Sequence, residues 1–142
     1  MNNIQRVIKH LQLIAEDLAP VSNARLAAAL LYKNKIVSVG CNQDKSHPFA
    51  FEYSKNPEAI YLHAETDCIL KAKKRLGERE LARSTLVVVR VKSGCNGGRE
   101  FGLARPCLGC SNCIEDHNIR RVIYTENSTE KKLHYSTIEY SA

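Results

Sequence analysis

Residues Ser84–Lys92 read STLVVVRVK, and this stretch decides the fold class. Leu86, Val87, Val88 and Val89 are consecutive, so a strand built from them carries apolar side chains on both faces. Such a strand belongs in a sheet covered on both sides. The flanking sequence has to supply the cover.

Upstream, Ile4, Val7, Ile8, Leu11, Ile14 and Leu18 recur at helical spacing, which predicts a helix over 2–18 ending before Pro20. ARLAAALLY and KIVSVG are two apolar runs joined by Lys33-Asn34, the pattern of an antiparallel hairpin. Asn42, Pro48, Asn56 and Pro57 mark residues 42–58 as a loop. A second helix is expected from His63 to Leu76, stopped by Gly77. Downstream, Gly94, Gly97, Gly98 and Gly102 make 93–105 a loop. A third helix is expected to start at Pro106, where a missing N–H costs least. RRVIYT, residues 120–125, reads as another strand, and the tail 126–142 carries no clear pattern. The order helix, hairpin, helix, strand, helix, strand predicts one three-layer α/β domain with a mixed sheet over residues 1–142.

Hydrophobic residues make up 44% and charged residues 25%, as in an ordinary soluble globular protein, and no apolar run is long enough to span a membrane. The first twenty residues mix Arg6, Lys9, Glu16 and Asp17 with apolar positions, which fits an amphipathic helix and not a signal peptide. The expected compartment is therefore the cytoplasm, where disulfides are rare. The six cysteines then read as metal ligands or small core residues. The net charge of +6 attracts phosphate in general and does not choose among nucleotides, nucleic acids and anionic surfaces.

RPCLGCSNC, residues 105–113, is where the chemistry concentrates. It offers two C-x-x-C pairs, Cys107/Cys110 and Cys110/Cys113. Two thiolates alone are a poor site, because a catalytic zinc takes three protein ligands and keeps one position for water. The best third ligand is in YLHAETDCIL, where His63 is followed two residues later by Glu65. Cys107 and Cys110 fall one turn apart on one helix face, at the positive end of the helix dipole, which favours thiolates.

HAE followed by PCLGC resembles the zinc-dependent nucleoside and nucleotide deaminase superfamily, and the deoxycytidylate deaminases within it most of all. The resemblance covers roughly residues 22–125, because hairpin, VGCN, helix, strand and thiol-bearing helix occur in the family's order. It implies an α/β/α cytidine deaminase-like fold with a mixed five-stranded sheet. It implies Zn2+ held by His63, Cys107 and Cys110, with Cys113 spare. It makes Glu65 the group that moves protons between water and the ring nitrogen N3 of cytosine. The product base would be a uracil. By the same resemblance Asn42 would bond the sugar, the Ala64 N–H would meet the base, and the chain would form homo-oligomers.

Histidine in HAE argues against free cytidine deaminases, which usually carry cysteine there. It fits deoxycytidylate, transfer-RNA adenosine and polynucleotide cytosine deaminases. Polynucleotide enzymes usually add aromatic stacking surfaces, and this chain has no Trp and three Phe. The expected substrate is thus a free cytosine deoxynucleotide, dCMP above all, with neither nucleic acid nor membrane as partner. VKSGCNGGREFGLAR, inserted before the P-C motif, departs from that branch. Its glycines, with Arg99 and Arg105, suggest phosphate recognition; a surface loop without a ligand is the alternative. The rival functions are a polynucleotide deaminase and a silent zinc-stabilised binding domain. The latter would need a fourth ligand from Cys41, Cys68, Cys95 or Cys113.

Overall fold

The computed structural model describes residues 2–18, 25–42, 63–93, 99–128 and 132–140. The expected loop after Asn42, with His47, and the glycines and Cys95 of 94–98 lie outside the described residues. Helix α1 spans Asn3–Glu16 and strands β1 and β2 span Arg25–Tyr32 and Lys35–Cys41. Helices α2 (Ala64–Ala72) and α3 (Glu78–Leu81) follow, then β3 (Thr85–Ser93) and β4 (Arg99–Gly102). Helix α4 (Leu108–Asp116), β5 (Arg121–Thr125) and β6 (Tyr135–Glu139) complete the described elements.

The sheet runs in the order β2-β1-β3-β5-β6, with β4 paired to β3 off that path. Six strands form it, where five were expected. β6 was hidden in the unassigned tail. β4 is a four-residue strand inside the glycine-rich segment, too short for a period to register. β1 is antiparallel to both β2 and β3, while β3 and β5 are parallel. β2, β3 and β5 therefore point the same way, and their carboxyl ends share one edge of the sheet.

Helices cover both faces, as the valine run requires. Ile8, Leu11 and Ala15 of α1 pack on Ala27, Ala29, Val87, Val89 and Val91. Ile69 and Ala72 of α2, with Ile114 of α4, pack on Ala28, Leu30, Leu86, Val88 and Val122 across the other face. Alternate residues of β3 thus fill two different cores. Asn2 starts α1: its Oδ1 accepts the Gln5 N–H while Gln5 accepts the Asn2 N–H, a reciprocal cap.

Local signals explain most boundaries. Lys33 and Asn34 both take positive φ (52° and 64°), the two-residue turn whose twist matches a hairpin. The second helix begins with His63 as N-cap and ends at Ala72, earlier than Gly77 suggested. Gly77 instead caps the short helix α3. The third helix begins at Leu108 with Cys107 as N-cap, two residues later than Pro106 suggested. Pro106 is buried, so packing decides the chain's path there.

Two features fix the site end of the sheet. A Cβ at Gly40 would collide with the Ala64 carbonyl oxygen and the Cys68 amide nitrogen, so only glycine lets α2 lie this close to β2. Across the sheet, Thr125 closes the gap where β5 stops and β4 begins. Its Oγ1 donates to the Gly102 carbonyl (2.8 Å) and accepts the Arg90 N–H (3.2 Å), while its carbonyl accepts the Ala104 N–H (2.8 Å). Thr125 is fully buried. Replacing it with the isosteric valine leaves two buried backbone groups unpaired. Thr125→Val is expected to lower unfolding free energy by about 1–3 kcal/mol in a denaturant titration, with the helix and strand content unchanged.

Candidate active site

Helix α2 follows β2, and α4 follows β3 and β4, so both helices start at the shared carboxyl edge. Each start brings backbone N–H groups without an intrahelical partner and the positive end of a dipole. His63 and Cys107 are the two N-cap residues, both with extended backbone and no side-chain capping bond. Their side chains are therefore directed to each other and not to their own helices. His63 Nδ1 lies 3.3 Å from Cys110 Sγ and 3.7 Å from Cys107 Sγ. The three ligand atoms lie within 4.8 Å of one another.

This donor set fits zinc. A tetrahedral ion with Zn–S bonds of about 2.3 Å and Zn–N bonds of about 2.0 Å sets nitrogen and sulfur ligands about 3.5 Å apart. The observed 3.3 and 3.7 Å bracket that separation. Among the described residues no fourth His, Cys, Asp or Glu joins the group. Cys68 is buried against Ser38, Cys113 lies against His117 at 3.8 Å, and Cys41 is half-buried in β2. Three protein ligands among the described residues match the pattern of a catalytic zinc site.

The thiols divide their roles before any ion binds. The bond from Cys110, and then that from His63, pulls the Cys107 thiol down to about 4. Cys110 is pushed up, first by donating a hydrogen bond to the Cys107 sulfur and then by burial. His63 is raised, chiefly by its bond to Cys107. Glu65 sits in the first turn of α2, 4% exposed. Burial raises its carboxyl, partly offset by the backbone N–H bond at the helix start and by His63. A carboxyl raised in this way holds a proton more readily than an ordinary glutamate.

A profile of the cytidine and deoxycytidylate deaminase zinc-binding region matches residues 1–126. The chain belongs to the cytidine and deoxycytidylate deaminase family. It is a zinc-dependent hydrolytic deaminase. A search of curated proteins gives no match. Among solved structures, the deaminase resembles the apo dCMP deaminase of cyanophage S-TIM5, with a TM-score of 0.56, 21% identity, and 87% of this chain and 82% of that one covered. It also resembles the same phage enzyme in complex with dCMP and dUMP, with a TM-score of 0.52, 21% identity, and 84% and 78% covered. The cytidine deaminase of Burkholderia pseudomallei gives a TM-score of 0.59 at 17% identity, with 93% and 90% covered. At these identities the likeness establishes the α/β fold with its mixed sheet and flanking helices.

The remaining sequence candidates fall at the same edge or beside it. Ala64 is fully buried as the first residue of α2, so its N–H has no carbonyl of its own helix to meet. Asn42 follows β2; its Oδ1 accepts the Leu26 N–H (3.0 Å) and its N–H donates to the Leu26 carbonyl (3.2 Å). Arg105 is exposed two residues before Cys107, and its charge reaches the Tyr140 hydroxyl, which lies 3.1 Å from Ser111 Oγ on α4. Reading the sequence missed Tyr140 and Thr125, which reach α4 and the segment leading to it from strands distant in the chain. No deaminase helix of the described residues is long and apolar enough to cross a membrane.

Thiol chemistry tests this geometry. In the metal-stripped deaminase, Cys107 is expected to be the first described cysteine alkylated by iodoacetamide, because Cys68 is buried and held up at about 12. The Cys107 rate should stay nearly flat between about pH 6 and about pH 8, since a group lowered to about 4 is already thiolate there. Zinc should protect it. Mass-spectrometric mapping checks both points. Cys113→Ser should keep metal, whereas Cys110→Ser should lose it.

Proposed function

We propose that this chain converts dCMP and water to dUMP and ammonia, with His63, Cys107 and Cys110 holding zinc and Glu65 moving the protons. One observation carries the reading: a buried, raised carboxyl lies two residues past the imidazole that meets both sulfurs. Zinc bound by these three side chains supplies Lewis acidity, which brings water into its nucleophilic form near neutral pH. Glu65 takes a proton from the attacking water and delivers it to N3 of the cytosine ring. The water oxygen bonds C4. Glu65 then carries the second proton to the amino group, the C4–N bond breaks, and ammonia leaves. The Ala64 N–H, without a partner in its own helix, is assigned to the base. Asn42, at the end of β2, is assigned to the deoxyribose.

Arg105 supplies the preference for a nucleotide over a nucleoside, since an exposed guanidinium two residues from Cys107 attracts phosphate. The dCMP deaminase of cyanophage S-TIM5, whose structure holds dCMP and dUMP, supports the monophosphate as substrate. The reading places the protein as one cytoplasmic domain that forms homo-oligomers.

A substrate panel tests the proposal. Ammonia release should be fastest with dCMP, slower with dCTP and deoxycytidine, and undetectable with a single-stranded oligonucleotide. Preference for deoxycytidine would make the protein a nucleoside deaminase instead. Glu65→Gln should retain stoichiometric zinc and lose about 10²–10⁴-fold in kcat. Arg105→Ala should raise KM for dCMP about tenfold, consistent with loss of one charge-assisted contact, and leave deoxycytidine unaffected.

A further inference from the structure

The start of α2 is held against the sheet by a polar ladder. Asp67 and Lys71 lie one turn apart on α2, and Arg75 follows four residues later in the turn beyond the helix. They meet every second residue of the edge strand β2. Asp67 Oδ2 accepts the Cys41 N–H at 3.1 Å, Lys71 Nζ donates to the Val39 carbonyl at 3.2 Å, and an Arg75 guanidinium nitrogen donates to the Val37 carbonyl at 2.8 Å. From Asp67 to Lys71 the spacings agree: four helical residues rise about 6 Å and two strand residues about 6.7 Å. Lys71 also bonds Asp67 at 3.0 Å, joining two rungs.

Capping the open carbonyls of an edge strand accounts for Lys71 and Arg75, which are both exposed. It does not account for Asp67. This carboxylate is 3% exposed, and a buried charge is tolerated only when paired and hydrogen-bonded, here by Lys71 and the Cys41 N–H. Asp67 is the rung nearest the site. Its backbone N–H donates to the His63 carbonyl at 2.9 Å, and its side chain reaches the last residue of β2, one before Asn42. Gly40, beside it, removes the side chain that would keep the helix away.

We propose that Asp67 is a positioning residue for the metal site, fixing the first turn of α2, and with it His63 and Glu65, in register with the end of β2. The apolar contacts of α2 are non-directional and let a helix slide along a sheet at little cost. A zinc site needs its ligands placed within about 0.5 Å, and a buried bond to a backbone N–H supplies that constraint. The inference rests on His63 being a ligand, as proposed above, and not on the identity of the substrate.

The test is zinc affinity by competition with a chromophoric chelator, together with the visible d–d spectrum of the cobalt-substituted protein and thermal unfolding. Asp67→Ala is expected to weaken zinc binding about tenfold or more and to shift the cobalt bands. Asp67→Asn, whose amide oxygen still accepts the Cys41 N–H, should stay within about threefold of the parent. A lowered Tm with unchanged zinc affinity and cobalt spectrum would reduce Asp67 to a stability role and overturn the proposal. If Asp67→Ala does not fold, Asp67→Glu decides. Its extra methylene pushes the helix off Cys41, so zinc affinity should fall several-fold, and an unchanged affinity overturns the proposal. His63→Ala is the control. If that variant binds zinc as the parent does, the ligand assignment fails, independently of Asp67.

Discussion

The site depends on one topological constraint: β2, β3 and β5 share a direction, so the helices that follow β2 and β3 must begin at the same edge. A helix start carries unpaired N–H groups and a partial positive charge. Two such starts side by side give a positive potential from backbone dipoles alone. Thiolates and a carboxylate are what such a place stabilises. The chain supplies them at the N-cap and first turn of each helix, with His63 and Glu65 on α2 and Cys107 and Cys110 on α4. Ligands in open ansa-like loops would gain neither the dipoles nor the rigidity.

The same arrangement concentrates polar groups where a core would otherwise be apolar. Glu65, Thr66 and Asp67 are consecutive and buried, immediately before Cys68 and Ile69 enter the hydrophobic layer. Thr66 Oγ1 donates to the His63 carbonyl, and Asp67 bonds Cys41 and Lys71. Glu65 differs. Its burial is reflected in a raised carboxyl, which is the property proton transfer uses. Of the three neighbouring polar residues, Glu65 is the one whose burial raises its carboxyl.

Much of this was legible in the sequence because it rests on local signals. Valine on both faces of STLVVVRVK required helices on both sides, and α1 and α2/α4 supply them. Lys33-Asn34 placed the hairpin because only a turn with positive φ at both residues closes it so tightly. The order of HAE and PCLGC named the family that the profile match establishes. What stayed hidden depends on contacts between distant residues. β4 exists because β3 outruns β5 and leaves an edge to pair, and Thr125 seals that junction from thirty-five residues away. Pro106 looked like a first helical residue, yet it packs inward and leaves the capping position to Cys107. The Asp67 ladder needs a strand period laid against a helix period, which neither segment displays alone.

Charge balance links the metal site to the acid beside it. In the metal-free protein, Cys107 is the anion, His63 is biased toward its cation, and Cys110 keeps its proton. A divalent cation replaces those protons: with two thiolates and a neutral imidazole the cluster sums to zero. Glu65 then sits beside a cluster whose formal charges cancel. In the metal-free protein burial is the largest influence on its carboxyl and raises it. A cluster with one thiolate and two imidazoles would be positive and would drive the carboxyl down toward permanent ionisation. The His-Cys-Cys combination thus differs from such a cluster in placing no net formal charge next to the buried Glu65 carboxyl.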